Sequence, residues 1–356
     1  MTKIRRVLML ADPGMDHLAY TMFNGLYKIL GKENLSIYPY VKHYHGGIDE
    51  YILDNGQKWY SVPPPHISRH ETLERSFDEL VNGIHSFDII YLSSGRTYAV
   101  NALNQFITRL GRHNLPPIIF SEGEDYYELI TIRDIKKRYN PVVCFKRELL
   151  QSDLDNNPDL YPLYPLPFSA ILDKMPQDNP NKDIDIFALF GNTYPLRENI
   201  VKTISSSYLP SKYKININID HFSNEPKKIE WHDQSRFNIP PLVPYLNYLD
   251  LMSRSKINII ARGWGYDTLR RFEAPCFSGL VMSDNLPITT PNPFIDNVHI
   301  IYYDNELGDL ISRIEYLLNA DNERRRVGIE GRDHCMKYHT TDARARYFIH
   351  KVEQHI

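Results

Sequence analysis

The chain has 356 residues and a formal net charge of −3. That length suits two hydrophobic cores better than one, and the near-neutral charge offers no global basic field of the kind nucleic-acid binding uses. The three cysteines, Cys144, Cys276 and Cys335, are far apart and odd in number, which opposes a disulfide framework or a metal-spaced pair and points to a reducing compartment.

Lys3, Arg5 and Arg6 precede the apolar run Val7-Leu-Met-Leu-Ala11. The run is too short for the apolar core of a secretory signal and Asp12 ends it, so it reads as a buried first strand. No run is long enough to span a bilayer, and a cytoplasmic location is expected. The loop Asp12-Pro-Gly-Met-Asp-His17 follows. Its glycine lets the backbone approach a ligand closely. Asp16 and His17 are candidates for a general base; the plainer role for Asp16 is to cap the helix His17–Leu30. A strand over 36–41 comes next.

Residues 43–65, with glycines and a proline triplet, form an irregular excursion of a length that often touches ligands. His43 and His45, with Asp49 and Glu50 nearby, make a poor metal site because no clear third ligand accompanies the two histidines. A helix over 73–85, a strand over 87–92, a helix over 99–112 and strands over 117–120 and 141–145 continue the alternation. Glu122-Gly-Glu-Asp125 follows one of these strands; Glu124 is a second acidic candidate there, and a solvated turn is the plainer reading. Such alternation predicts a mainly parallel sheet with helices on both faces. Residues 151–181 are rich in Pro, Asp and Asn and read as an extended linker.

Alternation restarts with a strand over 184–190, a helix over 196–206, a strand over 214–219 and a short helix over 245–252. Gly191-Asn-Thr-Tyr-Pro-Leu-Arg197 follows the first of these strands. It is either a turn before the next helix or a phosphate or base contact through Gly191, Asn192 and Arg197, with Arg197 the more exposed.

The densest signal comes after the apolar run 257–261. Gly263-Trp-Gly-Tyr-Asp-Thr-Leu-Arg-Arg-Phe-Glu is a glycine-broken loop feeding a short helix, and a strand begins at Leu280. Open α/β sheets bind nucleotides at such loops, where helix N–H groups receive a diphosphate. Arg270 adds a planar donor fork, and Glu273 can accept two ribose hydroxyls. The competing reading is an i,i+3 ion pair between them, with Asp267 and Thr268 capping the helix. A strand with a helix start over 293–307, helices over 311–319 and from Asp321 towards Tyr338, and a final helix over 342–354 complete the pattern.

As a set, Ser253 and Ser255, Asp267-Thr-Leu-Arg-Arg-Phe-Glu-Ala274, Gly279, Pro293-Phe, Tyr303-Asp-Asn-Glu-Leu and His339-Thr-Thr resemble the C-terminal half of GT-B glycosyltransferases. The likeness is greatest to the CgeB-like and "glycosyl transferase group 1" proteins. It is detailed over the second half of the chain and holds only in kind over the first. It implies an α/β GT-B fold: two Rossmann-like doubly wound domains facing a cleft, with a C-terminal helix crossing back to the first. The expected divisions are 1–165 for the acceptor, 166–340 for a nucleotide-sugar donor, and 341–356 for the crossing helix.

The resemblance also implies glycosyl transfer from a nucleotide-diphosphate sugar to an acceptor hydroxyl. Gly191, Asn192, Arg197, Gly263, Trp264, Gly265, Asp267, Thr268, Arg270 and Glu273 would hold the donor. Asp16, His17, Glu124 and Arg270 would be catalytic. Neither a metal nor another cofactor is expected, because N–H groups and basic side chains would stabilise the leaving diphosphate. The acceptor would be a glycan, a lipid-linked compound or a protein, with no nucleic acid; peripheral membrane association is compatible with this. One departure stands out. Many retaining members carry two glutamates eight positions apart; Glu273 matches the second, but Gly265 occupies the place of the first, with Asp267 as a substitute. The departure leaves stereochemistry open and keeps two rivals: a catalytically silent GT-B scaffold of a surface or coat assembly, and a nucleotide-sugar epimerase or hydrolase.

Overall fold

A computed structural model gives the fold. It describes residues 3–14, 16–41, 44, 75–173, 175–220 and 245–356, and the backbone of 51–52 and 58–59. In the first half, β1 (Val7–Leu10), α1 (His17–Leu30) and β2 (Leu35–Tyr38) are followed by a separate antiparallel pair, β3 (Tyr51–Ile52) and β4 (Lys58–Trp59). Then come α2 (Phe77–Asn82), β5 (Ile89–Leu92), α3 (Thr97–Leu110), β6 (Ile118–Glu122), α4 (Ile130–Tyr139), β7 (Val143–Lys146), α5 (Gln151–Asn156) and β8 (Leu163–Pro165). Six of these strands form one parallel sheet in the order β2-β1-β5-β6-β7-β8. Every residue of β1, β5, β6 and β7 is buried, which is why β1 and β5 read as unbroken apolar runs, and β6 and β7 do so up to their polar carboxyl ends, rather than alternating.

The second half repeats the plan. β9 (Ile184–Gly191), α6 (Pro195–Ser205), α7 (Leu209–Lys212), β10 (Ile215–Asp220), α8 (Tyr245–Ser253) and β11 (Ser255–Ile260) lead into α9 (Arg270–Glu273), β12 (Leu280–Asp284) and β13 (Ile301–Tyr303). The parallel order is β10-β9-β11-β12-β13. Helices α10 (Leu310–Asn319), α11 (Asp321–Tyr338) and α12 (Thr341–Glu353) close the chain.

Helix α12 returns to the first sheet, as expected. The Phe348 ring sits 4.7 Å from Tyr91 and 4.8 Å from Phe145, and Glu353 Oε1 accepts the Ile4 N–H at 2.9 Å. The approach of α12 to α1 needs Gly25, where an added Cβ would stand 2.1 Å from the Thr341 carbonyl oxygen. One apolar cluster therefore runs from α1 through α12 to Phe272 of α9 and Val281 of β12, joining the two halves by burial rather than by a linker alone.

Three expectations are corrected. Residues 151–181 are not one extended linker, because α5 and β8 lie within them and β8 joins the first sheet. As an edge strand, β8 tolerates the proline that a central strand would reject. Helix α4 escaped notice; its buried residues Ile132, Ile135 and Tyr139 keep helical spacing amid charged neighbours. The helix expected over 73–85 is shorter: Ser76 and Glu79 form a capping box at its start, and it stops before Gly83. No helix among the described residues is long and apolar enough to cross a membrane.

Candidate functional site

The carboxyl ends of the two sheets meet. The Thr289 N–H bonds to the Leu149 carbonyl at 2.7 Å, and the rings of Tyr127 and Tyr266 lie 6.3 Å apart across the junction. Loops at the carboxyl ends of parallel strands are free of ladder pairing and are where such sheets place ligands.

On the second-domain side, Arg197 is only 5 % exposed. Its guanidinium donates to the carbonyls of Arg262 (2.7 Å), Ala261 (3.0 Å) and Gly191 (3.1 Å), and to Thr193 Oγ1 at 2.8 Å. Arg197 is therefore not the exposed contact expected of it. It ties the end of β9 to the end of β11, whose carbonyls have run out of ladder partners and need donors. Burial first, then the neighbouring Arg270 charge, lowers its pKa to about 9. Gly263 is buried against this guanidinium, Asn192 is half-buried on the loop after β9, and Trp264 is partly exposed.

Arg270 is half-buried with its guanidinium 5.3 Å from the Tyr248 ring centroid. Glu273 is buried and accepts the Tyr245 hydroxyl at 2.5 Å; burial raises its pKa, opposed by that bond and by Arg270. The i,i+3 ion pair is not formed, so the competing surface reading of these two residues fails. The helix itself is a single turn capped by Leu269 without a side-chain bond, so neither Asp267 nor Thr268 caps it. One turn has little dipole to offer an anion; positive charge on this face comes from guanidinium groups instead.

Asp267 faces the first domain. Its Oδ2 accepts the Phe168 N–H at 2.7 Å, and its own N–H donates to Glu148 Oε1 at 2.9 Å. Burial, opposed by Arg147, lifts its carboxyl to about 6. Glu148 also explains the glycine at 265: an added Cβ there would stand 2.2 Å from Glu148 Oε1. A first-domain carboxylate thus fills the space beside the position where a glutamate was looked for. Sequence reasoning missed Glu148. Its signal was the charged triplet Lys146-Arg147-Glu148 ending an apolar strand at the sheet's carboxyl edge.

On the first-domain side, Arg147 pairs with Asp125 and, at 3.0 Å, with Glu148. Lys146 pairs with Glu122 in full burial, and burial outweighs that pairing to lift Glu122 to about 7. Glu124 is held by Arg96 at 2.5 Å, so it is neither a plain solvated turn nor a free base. His17 stands edge-on to Phe168 at 6.1 Å; burial drops its pKa to about 4, which leaves it neutral and a weak base at pH 7. Asp16 caps α1 through Oδ1, bonded to the Ala19 N–H at 2.9 Å. Its Oδ2 is buried with no hydrogen-bond partner, and burial raises its pKa. His43, His45, Asp49 and Glu50 lie outside the described residues. Among the described residues, no group of three His, Cys, Asp or Glu side chains could hold a metal ion.

Two parallel α/β sheets meeting at their carboxyl ends, with a helix returning from the second domain to the first, are the GT-B architecture. Within it, residues 194–350, less than half of the chain, match the protein family described as glycosyl transferase-like. Among similar solved structures is an α-glucosyltransferase in complex with UDP and a 13-mer DNA containing an HMU base: 13 % identical, covering 99 % of this chain and 100 % of the other, TM-score 0.56. Anabaena HepE in complex with UDP and glucose is 9 % identical over 98 % and 99 % of the two chains, TM-score 0.55. Sucrose-phosphate synthase from Thermosynechococcus elongatus is 10 % identical over 98 % of each, TM-score 0.53. No curated protein matches the chain.

Proposed function

We propose that this protein transfers a glycosyl group from a nucleoside-diphosphate sugar to an acceptor hydroxyl, and that the transfer takes place between the two sheet ends. The observation that carries the reading is the pairing of opposites at the cleft. Arg197 and Arg270 sit within each other's field with no carboxylate at ion-pair distance among the described residues, while Asp16 across the cleft keeps one buried oxygen open. An anion belongs beside the first pair, and a hydrogen-bond donor belongs at the second.

In this reading Arg270 contacts the diphosphate, Glu273 the ribose through the oxygen that Tyr245 does not occupy, and Arg197 holds the two donor loops in register. The acceptor oxygen bonds to the sugar's anomeric carbon, the bond from that carbon to the diphosphate breaks, and the diphosphate leaves with the electron pair. The acceptor proton passes to Asp16 Oδ2. Two of the similar structures hold UDP, which supports a uridine donor. The charge that builds on the leaving group meets guanidinium groups, so turnover needs no divalent metal. A thermal-shift screen of nucleoside diphosphates and their sugars in excess chelator tests the reading. A ligand at a hundred times its Kd stabilises the fold by about 2.7 kcal/mol. A clear rise with one nucleotide sugar is expected; no rise with any of them, or a rise only after Mg²⁺ or Mn²⁺ is restored, would contradict it.

A further inference from the structure

The charges of the first-domain face bear on what the acceptor is. Each cation there already has an acid: Arg96 has Glu124, Lys146 has Glu122, and Arg147 has Asp125 and Glu148. Asp12 and Asp16 form no ion pair of their own among the described residues and share the field of Arg96 with Glu124. Asp12 accepts the backbone N–H groups of Gly14 at 2.9 Å and Tyr98 at 3.2 Å, and Asp16 has the open Oδ2. The face is therefore negative after its internal pairs are made.

Phosphate groups are held by Lys and Arg, one cation for each contact. Among the described residues, a phosphorylated sugar or a nucleic acid would meet carboxylates here and no guanidinium without an acid beside it. A neutral hydroxyl is a donor that a carboxylate accepts well. Two aromatic rings add the other half of a sugar site. Tyr98 is 63 % exposed beside Asp12, and Tyr127 is 45 % exposed against Tyr266. Such rings offer flat apolar faces with a polar edge. Asp16 is itself only 5 % exposed, and a buried acceptor atom left without a donor is destabilising; a bound hydroxyl relieves that cost.

We propose that the acceptor is an uncharged carbohydrate, with one hydroxyl on Asp16 Oδ2 and its ring against Tyr98 and Tyr127. This rests on reading the cleft as a glycosyltransferase site. The fold alone does not decide the matter, since one similar structure of the same architecture is in complex with DNA; the side-chain charges of this chain do. Because Asp16 Oδ2 is screened from solvent, the proposal includes a local opening that admits the acceptor hydroxyl.

The test uses the full chain saturated with UDP. It is presented with an array of neutral mono- to tetrasaccharides, with their 6-phosphate counterparts, and with a duplex oligonucleotide bearing hydroxymethyluracil. Capture of one or more neutral members and of neither charged class is expected. Asp16→Asn should weaken that capture at least about tenfold, because Asn still caps the helix but brings no negative charge; Tyr127→Ala should weaken it less. Capture of a phosphorylated member or of the duplex, with the steep salt dependence of phosphate contacts, would overturn the proposal. So would normal UDP binding by calorimetry with no neutral member captured. Absent UDP binding would instead overturn the glycosyltransferase reading beneath it.

Discussion

The two faces of the cleft treat charge in opposite ways. The first-domain face pairs each of its cations with an acid and keeps an excess of carboxylates: Lys146 with Glu122, Arg96 with Glu124, and Arg147 with Asp125 and Glu148, beside Asp12 and Asp16. The second-domain face does not. Arg197 is satisfied by carbonyls, Arg270 stacks near Tyr248, and Glu273 bonds to a tyrosine rather than to either arginine. Both faces are the carboxyl ends of parallel sheets, so topology does not explain the difference. A face that leaves cations unbalanced is complete only with an anion present, whereas a face whose cations are all paired and whose spare groups are carboxylates suits an uncharged hydroxyl donor.

The comparison breaks most sharply at Asp16. Asp16→Asn keeps the α1 cap but removes the base, so kcat should fall by about 10²–10⁴ with little change in melting temperature. Near-normal turnover would move the proton transfer elsewhere. On the opposite face, Arg270→Ala should lower kcat roughly a hundredfold or more with a smaller change in donor KM, because the cation acts where charge develops. Arg270→Lys should recover only part of the loss, since a point charge does not reproduce the planar fork. Normal kcat in the alanine variant would return Arg270 to a surface role.

Asp267, at the junction, gives the smallest effect and a pH signature. Burial raises its carboxyl to about 6, so the folded state binds this proton more tightly than the unfolded chain does. Its stabilising contribution is full below the unfolded pKa of about 3.9 and is lost as pH rises through about 6, an effect of roughly 3 kcal/mol. Asp267→Asn retains an acceptor for the Phe168 N–H. The variant's melting temperature relative to wild type should therefore improve between pH 4.5 and pH 7, by a few degrees. A pH-independent difference would show that Asp267 is already ionised in the folded state.

What the sequence disclosed follows from what has a local signature. Apolar runs marked β1, β5 and β11, and Asp16 marked the start of α1. The glycine-broken loop after β11 pointed to the donor side. Helix α4 and strand β8 lacked such signatures, because charged residues dilute the first and prolines interrupt the second. The site was less legible than the fold. Arg197 looked exposed because nothing local says that strand-end carbonyls will converge on it. Gly265 looked like a lost carboxylate until Glu148, more than a hundred residues earlier, was found in the space beside it. Both outcomes depend on contacts between segments remote in the chain, which spacing along one segment does not encode.

The central claim is that the second-domain face binds a nucleoside diphosphate through Arg270 and Glu273. The most direct test is calorimetric titration of UDP, in excess chelator, into the wild-type protein and into Glu273→Ala. The account predicts measurable binding to the wild type without metal. In the variant, with its fold intact, that binding should weaken by about 1–3 kcal/mol through loss of charge-assisted bonds to the ribose. Equal affinity in the two proteins, or no binding to the wild type, would contradict it.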